Sequence, residues 1–270
     1  MRRPADDHEA DDHAARAAAA WLESAPQSVA GQLALDEALL ELAHEGLLAA
    51  PCVRTWMADG PAVVLGSSCR IDAEVDRAAC AAAGVPILRR PSGGGTVVVG
   101  PGCLMWTVVV PHPAGAPPIE AIHAGMLGPL AAAVSTALAA TGGPPRRVER
   151  RGTSDLVLTG DGTAAADERK VSGNALRVRR HGVLYHGTLL DACDLDLVAR
   201  VLRHPPREPE YRAGRPHEAF LANLALGRTA LDRAVRTAFN ATAAAADWPR
   251  DRVERLVRDR YASADWTSRL

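Results

Sequence analysis

Lysine is almost absent from this chain of 270 residues. Lys170 is the one lysine among 31 basic residues, and the others are all arginine. An ammonium group is a compact charge with three rotatable donors, so arginine, with its planar guanidinium, cannot replace lysine at a site that needs such a charge. A drift in composition toward arginine and alanine would also leave a single lysine by chance. Its position downstream of a glycine-rich run favours a functional role for Lys170.

Aromatic residues and net charge are also scarce. Aromatic side chains make up 4% of the chain and apolar residues 47%, so we expect a core of leucine, valine and alanine. The formal net charge is -1, which gives no general attraction to nucleic acid or to an anionic membrane surface. No uninterrupted apolar run approaches the roughly 18 residues that span a bilayer. We therefore expect neither nucleic acid nor a membrane as a partner.

Cysteine is rare and forms no C-x-x-C pair. The five cysteines are Cys52, Cys69, Cys80, Cys103 and Cys193. An odd and scattered set of this kind predicts neither a disulfide framework nor a zinc site. The first residues are basic and are followed by aspartates instead of an apolar stretch, which is the wrong order for a signal peptide. These features favour a cytoplasmic protein.

The composition changes once near the start of the chain. Residues 1–20 are acidic and rich in alanine without large apolar side chains, which predicts a disordered tail. Residues 21–270 are long enough to bury a substantial core, and we expect them to form a single domain. Within that domain, residues 228–270 are predicted to form terminal helices, at 230–246 and 252–261.

Short β-rich runs separated by turns fill the middle of the chain. Residues 96–99 and 104–110 flank a Gly-Pro-Gly turn and are predicted to pair with each other. Residues 170–178 and 183–190 repeat the strand-turn-strand pattern, and residues 119–140 are predicted to form a long helix. Hairpins between flanking helices favour an α+β fold with a mixed, largely antiparallel sheet.

The glycine run at residues 92–96 (SGGGT) has the composition of an anion-binding backbone segment. It lacks the G-x-G-x-x-G spacing of dinucleotide folds and the Gly-Lys-Ser/Thr ending of a P-loop. A glycine-rich turn between strands is one interpretation. The other is that consecutive N–H groups hold phosphate or carboxylate oxygens, or line an extended acyl chain, with Arg90 and Ser92 at the rim.

Several motifs together resemble the lipoate-protein ligase family, which is related to lipoyl(octanoyl) transferases and biotin-protein ligases. The matching runs, in order, are residues 32–37 (QLALDE), 89–97 (RRPSGGGTV), 155–157 (DLV), 170–175 (KVSGNA) and 185–190 (YHGTLL). The resemblance extends from residue 32 to about residue 224. It implies the fold of a biotin/lipoate protein ligase catalytic domain, here as a single-domain member without the C-terminal accessory domain of many bacterial ligases.

The resemblance implies a reaction in two steps. Lipoate or octanoate and ATP, with Mg²⁺, give an acyl-adenylate, and a lysine of an acceptor protein then takes the acyl group. The acceptors in the family are the lipoyl domains of 2-oxoacid dehydrogenases and the glycine-cleavage H protein, and a separate accessory subunit can take part. The motifs carry over as ligand-binding residues Trp56, Arg90, Ser92, Gly93, Gly94, Gly95, Thr96, Ser172, Gly173, Asn174, His186, Gly187 and Thr188.

The chemistry of this reaction suggests roles for particular side chains. Lys170 is the catalytic candidate, because a movable ammonium would lower the repulsion between a carboxylate and the α-phosphate. Trp56 would line a slot for the apolar tail, and a loop at 160–168 would cover the nucleotide. Asp155 is either a Mg²⁺ ligand or a strand cap. His186 either assists deprotonation of the acceptor amine or is hydrogen-bonded within its strand.

Two other functions remain open. Ligases of the family have a histidine shortly after the glycine run. This chain has Gly-Pro-Gly at 100–102 there, which resembles the transferases. A transferase would need a nucleophilic cysteine, for which Cys193 and Cys103 are the candidates. The third alternative is a non-catalytic lipoyl-binding protein. Basic residues at 211–217 and 177–180 would dock an acidic carrier domain or remain solvated.

Overall fold

Two β-sheets organise the chain in a computed structural model that describes residues 18–23, 25–160, 164, 167–245 and 247–270. The strands are β1 Ala19–Trp21, β2 Cys52–Trp56, β3 Ala62–Leu65, β4 Ile87–Arg89, β5 Val97–Val99, β6 Cys103–Pro111, β7 Arg146–Arg151, β8 Asp155–Gly160, β9 Arg169–Arg179, β10 Gly182–Leu190 and β11 Ala241–Ala244. The helices are α1 Val29–His44, α2 Ile71–Glu74, α3 Arg77–Ala82, α4 Ile119–Ala139, α5 Leu195–Val201, α6 His217–Phe220, α7 Arg228–Ala238, α8 Arg250–Leu256 and α9 Ala264–Ser268.

The larger sheet has eight strands in the order β11-β1-β2-β6-β10-β9-β8-β7. Strand β1 is parallel to both of its neighbours, and the other pairs are antiparallel. The smaller sheet has the order β4-β3-β5, with one parallel and one antiparallel pair. The predicted α+β class with a mixed, largely antiparallel sheet is confirmed.

Strand β10 is buried along its whole length because helices cover both faces of the large sheet. Helix α1 packs against β6 and β10 on one face, and α7 packs against β2 and β6 on the other, next to α4. Ser28 caps α1 by accepting a hydrogen bond from the N–H of Gly31. The apolar residues of α1 therefore lie against the sheet, and so does the buried Asp36.

Three sequence predictions about elements are wrong. Residues 96–99 and 104–110 do not pair, because β5 joins β3 in the small sheet while β6 lies in the large one. Ala19 and Ala20 belong to β1 instead of the tail, and residues 1–17 lie outside the described residues. The helix predicted over 230–246 ends at Ala238, and β11 follows it. The strand pairs involved, β3 with β5 and β1 with β2 and β11, join segments that are distant in sequence, so local patterns do not predict them.

Helix α4 is long and apolar enough to cross a membrane by length and composition, although polar residues such as Glu120 and His123 interrupt its apolar run. Its buried residues include Leu127, Leu130 and Val134, which belong to the main core cluster. The helix packs against β7 and α7. These contacts account for its apolar side chains without a lipid environment.

Candidate functional site

Two adjoining cavities lie where the glycine segment (residues 92–96) faces strands β8, β9 and β10. The larger has a volume of about 410 Å³ and the smaller about 130 Å³. They share a wall made of Gly95, Thr96, Val97, Ser154, Asp155, Lys170, Gly173 and Thr188. Lys170 therefore lies at the junction of the two cavities. A group bound in either one can approach its ammonium.

Local backbone geometry directs Lys170 into this junction. The pairing of β8 with β9 shifts register between Leu156 and Val157, so that Ser172 and Lys170 face consecutive residues of β8. Such an irregularity re-aims the side chains of the strand. A Cβ atom at Gly173 would lie 2.9 Å from both Cε and Nζ of Lys170. Glycine at position 173 leaves the space that the lysine side chain occupies.

Asp155 holds the Lys170 ammonium in place. Its Oδ1 lies 2.8 Å from Lys170 Nζ, and its Oδ2 accepts a hydrogen bond of 2.8 Å from the hydroxyl of Tyr211. Burial, and then the neighbouring Asp155 charge, raise the pKa of Tyr211, so its hydroxyl remains a donor. Both carboxylate oxygens thus have partners. In the described part of the chain, no group of three metal-ligating side chains occurs. The role of Asp155 as a Mg²⁺ ligand stays a prediction.

Arg90 supports the glycine segment and also lines the smaller cavity. Its Nη2 donates to the carbonyls of Gly93 (2.6 Å) and Gly95 (2.8 Å), and its Nη1 donates to that of Val64 (3.2 Å). Its Nε donates to Ser92 Oγ at 3.0 Å. Burial lowers the pKa of Arg90 to about 10, so the group stays charged at neutral pH. Ser92 is buried and lines neither cavity, so its predicted position at the rim is wrong, whereas Arg90 does line the smaller cavity.

The carbonyls of the three glycines already have hydrogen-bond donors within the protein. Those of Gly93 and Gly95 accept from Arg90, and that of Gly94 accepts from the Cys69 thiol at 3.3 Å. Among the described residues, nothing accepts from the N–H groups of Gly94 and Gly95. The N–H of Thr96 instead donates to Glu74. Two adjacent donors are therefore available to an anionic ligand.

A buried chain of hydrogen bonds links the glycine segment to helix α1. Ser92 Oγ lies 2.6 Å from His186 Nε2, and His186 Nδ1 lies 2.8 Å from Asp36 Oδ2. Because the carboxylate is an acceptor, Nδ1 carries the proton and Nε2 accepts from Ser92. Burial opposes ionisation of Asp36, but Arg54 and His186 outweigh it and lower the pKa of this carboxyl. Ser92 is fully buried, so we assign it a structural role in this hydrogen-bonded series and not the role of a nucleophile.

The remaining predicted residues divide into cavity walls and supports. Asn174, His186 and Gly187 line the smaller cavity. Ser172 is fully buried and donates to Asn174 Oδ1 at 3.1 Å. Trp56 is also buried, in the core cluster that holds Met105, and it lines neither cavity. Met105 forms the wall that was predicted for Trp56.

A loop rich in arginine, at residues 203–217, forms one side of the larger cavity, and the sequence analysis did not predict that it binds the ligand. Arg203, Arg207, Arg212 and His217 line it, beyond the region predicted at 160–168, most of which lies outside the described residues. The Arg212 side chain is 5% exposed, and its Nη2 has no hydrogen-bond acceptor in the described part of the chain. The basic run at 211–217 was the sequence signal for this loop. Glu208 also lines the larger cavity and lies 3.4 Å from Arg212 Nε. Both cavities have apolar as well as charged side chains in their walls. Arg203, Arg207 and Arg212 distinguish the larger one, whereas Leu33, Val64 and Met105 line the smaller one.

Comparison with known proteins identifies the family. The model of the lipoyl protein ligase A/B catalytic domain matches residues 28–238. The chain belongs to this family. An octanoyltransferase LipM from Symbiobacterium thermophilum is 34% identical over 77% of this chain and 79% of its own length. An Aeropyrum pernix protein provisionally named lipoate-protein ligase A is 29% identical over 63% of this chain, and the match spans little more than half of that protein, 56%.

Solved structures have the same fold. A bi-partite lipoate protein ligase from Thermoplasma acidophilum, described with its E2 lipoyl domain, has a TM-score of 0.73 at 21% identity and covers 93% of this chain and 96% of that one. A lipoate-protein ligase A described with bound ATP has a TM-score of 0.69 at 21% identity, over 93% and 98% of the two chains. The predicted family and fold are confirmed.

Lipoyl protein ligases and octanoyltransferases differ in their need for a nucleophile, so the cysteines of this family member matter. Among the described residues, no cysteine lines either cavity. Cys193 is hydrogen-bonded to Cys103, which lowers the pKa of Cys193 and, with burial, raises that of Cys103 well above its usual value. Cys69 touches the glycine segment from behind, and burial raises its pKa.

Proposed function

We propose that this protein activates lipoate or octanoate with ATP and transfers the acyl group to a lysine of a lipoyl carrier domain. The observation that supports this most directly is Lys170 at the junction of two cavities, of which the larger is lined by three arginines. Such an arrangement suits a reaction in which a carboxylate with an apolar tail meets a phosphate. A single ammonium between the two anions lowers their repulsion.

In the first step, the acid lies in the smaller cavity with its carboxylate at the N–H groups of Gly94 and Gly95. A carboxylate oxygen attacks the α-phosphorus of ATP, a bond forms between them, and pyrophosphate leaves with the electron pair. Lys170 moves from Asp155 to the oxygens on which charge develops. The ammonium stabilises the transition state by about a few kcal/mol, as other preorganised charges do.

The nucleotide phosphates lie in the larger cavity. Arg212 offers them a buried guanidinium whose Nη2 lacks an acceptor among the described residues. Burying a donor without a partner is unfavourable, so a phosphate oxygen there relieves a cost already present in the free protein. Mg²⁺ accompanies ATP through the phosphates. Asp155 would offer Mg²⁺ a carboxylate oxygen once Lys170 has moved to the substrate.

In the second step, the amine of an acceptor lysine attacks the acyl carbon of the adenylate. The new C–N bond forms as the anhydride C–O bond breaks, and AMP leaves while the amine loses a proton to solvent. We propose the lipoyl domains of 2-oxoacid dehydrogenases or the glycine-cleavage H protein as acceptors. Support comes from a Thermoplasma acidophilum protein of the same fold, which is described with an E2 lipoyl domain.

Purified protein given lipoate or octanoate with Mg-ATP tests the proposal. We expect acyl-adenylate and an equal amount of pyrophosphate, and, after addition of a lipoyl domain, an acylated domain with release of AMP. Lys170→Arg is the inactive control. No pyrophosphate from either acid, with the lipoyl domain present, rejects ATP-dependent activation.

A cysteine-dependent octanoyltransferase is the second candidate, favoured by the 34% identity to a LipM protein. It requires a thiolate at the acyl group, and among the described residues no cysteine lines a cavity. An assay with the octanoyl thioester of a carrier protein as acyl donor, in the absence of ATP, distinguishes the two functions. Octanoyl transfer through a covalent enzyme thioester would establish this function instead of the ligase.

A further inference from the structure

Residues 263–269, which include α9, form a segment that packs beside the glycine segment; we call it the anchor segment. It lies beyond residues 28–238, the part of the chain that the family model matches. Trp266 Nε1 donates to the carbonyl of Arg89 at 2.9 Å. The indole ring is flanked by the guanidinium groups of Arg269 and Arg260, at 3.8 and 4.5 Å from its centroid. The segment is thus fixed to the end of β4, where the chain enters the glycine segment.

Arg89 joins the anchor segment to a second loop. Its side chain is fully buried, and both Nε (3.0 Å) and Nη2 (2.8 Å) donate to the carbonyl of Thr267. Its Nη1 donates to the carbonyls of Gly66 (2.8 Å) and Cys69 (2.7 Å). One buried cation therefore satisfies carbonyls from two loops at once. Removing either loop would leave Arg89 donors without acceptors, which is unfavourable in a buried position.

The loop at 66–69 contacts the glycine segment directly. The N–H of Ser67 donates to the carbonyl of Ser92 at 2.8 Å, and the thiol of Cys69 donates to that of Gly94 at 3.3 Å. A Cβ atom at position 66 would lie 1.9 Å from the carbonyl oxygen of Gly94, so only glycine allows this approach. The loop leaves the glycine segment little freedom to move away from the cavities.

We propose that Trp266 and Thr267 are positioning residues for the glycine segment, acting through Arg89 and the loop at 66–69. The role rests on the proposed function in one respect, namely that the N–H groups of Gly94 and Gly95 hold the carboxylate. The contact with Arg89 fixes the direction in which these two donors point. The site therefore depends on residues outside the region that defines the family.

Amide hydrogen exchange tests this positioning without reference to activity. Trp266→Phe keeps an aromatic ring but loses the indole donor, and Trp266→Ala loses both. We expect exchange at Ser67 and Thr96, whose N–H groups donate to the carbonyl of Ser92 and to Glu74, to be about tenfold faster in Trp266→Ala, as for the loss of one or two hydrogen bonds, with a smaller increase in Trp266→Phe. Exchange in β10 and α4 should not change. Trp248→Phe is the matched control, since Trp248 also carries an arginine over its ring, Arg250 at 4.5 Å.

Binding of lipoate by calorimetry gives the second measurement, with an expected loss of affinity of about tenfold in Trp266→Ala and none in Trp248→Phe. Unchanged exchange at Ser67 and Thr96 overturns the proposal, and so does an equal increase across the whole chain, which would mean general destabilisation. If Trp266→Ala does not fold, the exchange pattern of Trp266→Phe decides. Faster exchange in a protein that forms no acyl-adenylate would retain the positioning and reject the proposed function.

Discussion

Lys170 Nζ lies 2.8 Å from Oδ1 of Asp155, and the pair lies where the two cavities meet. The ammonium is 23% exposed and the carboxylate 13%. Tyr211 holds the second carboxylate oxygen. The lysine is thus restrained in the free protein at the position where the proposed reaction needs a positive charge. Its partner is a side chain from which a more highly charged ligand can draw it away.

Lys170→Arg should lower acyl-adenylate formation by at least about a hundredfold although the charge is kept. The planar guanidinium is larger than an ammonium and cannot occupy the space beside Gly173 in the same way. Pyrophosphate release measures the effect. Arg228→Lys, an exchange between the same residue types at a largely exposed position on α7, should leave the rate unchanged. Activity of Lys170→Arg near that of wild type contradicts a role for the compact ammonium.

Gly173→Ala should lower activity by about tenfold or more while stability changes little. The new Cβ meets only the end of the flexible Lys170 side chain, at 2.9 Å, so the lysine moves while the backbone stays. Initial rates and the urea unfolding midpoint should be measured together. Gly128→Ala is the control, because nothing lies within 4 Å of a Cβ there. Full activity in Gly173→Ala would show that the position of Lys170 is not critical.

Asp36→Asn should reduce the free energy of unfolding at pH 7 by about 3 kcal/mol, because it leaves the buried Arg54 without its counter-charge. The folded-state pKa of Asp36 is lowered from its ordinary 3.8, so its contribution is present above about pH 4 and is lost as pH falls through the folded value. Urea unfolding between pH 7 and pH 3 should therefore show a smaller loss of stability in the variant.

The control for Asp36→Asn is Asp232→Asn. Asp232 pairs with the exposed Arg228 at 3.6 Å, and loss of such a pair costs about 1 kcal/mol or less. Equal destabilisation by the two variants at pH 7 would contradict the importance of the Asp36 and Arg54 pair.

Cys193→Ser and Cys103→Ser should each keep at least about half of the ligase activity, because neither thiol lines a cavity. The intact mass of the wild-type chain should show no acyl adduct after incubation with octanoyl thioester. Serine at 193 keeps a donor toward the carbonyl of Gly102, which the thiol contacts at 3.1 Å. An adduct that disappears in one of these variants would identify the nucleophile of a transferase.

The sequence by itself determined the α+β class, most strand positions and the motif residues around Lys170. These depend on local patterns: β-rich runs, turns with glycine and proline, and short motifs with fixed spacing. The same short motif includes Gly173, which lies three residues after Lys170 and leaves space for its side chain. The family resemblance rested on such runs as well, and the family model confirmed it.

Only the tertiary structure decided which way the polar side chains point. Ser92 lies behind the glycine segment because Asp36, on a helix over the sheet, anchors His186, which holds Ser92. The partition of β5 and β6 between two sheets, and the arginine-rich loop that contains Arg212, likewise join segments distant in sequence. Local propensity carries no information about such contacts, because the free energy that fixes them comes from burial and pairing in the folded core.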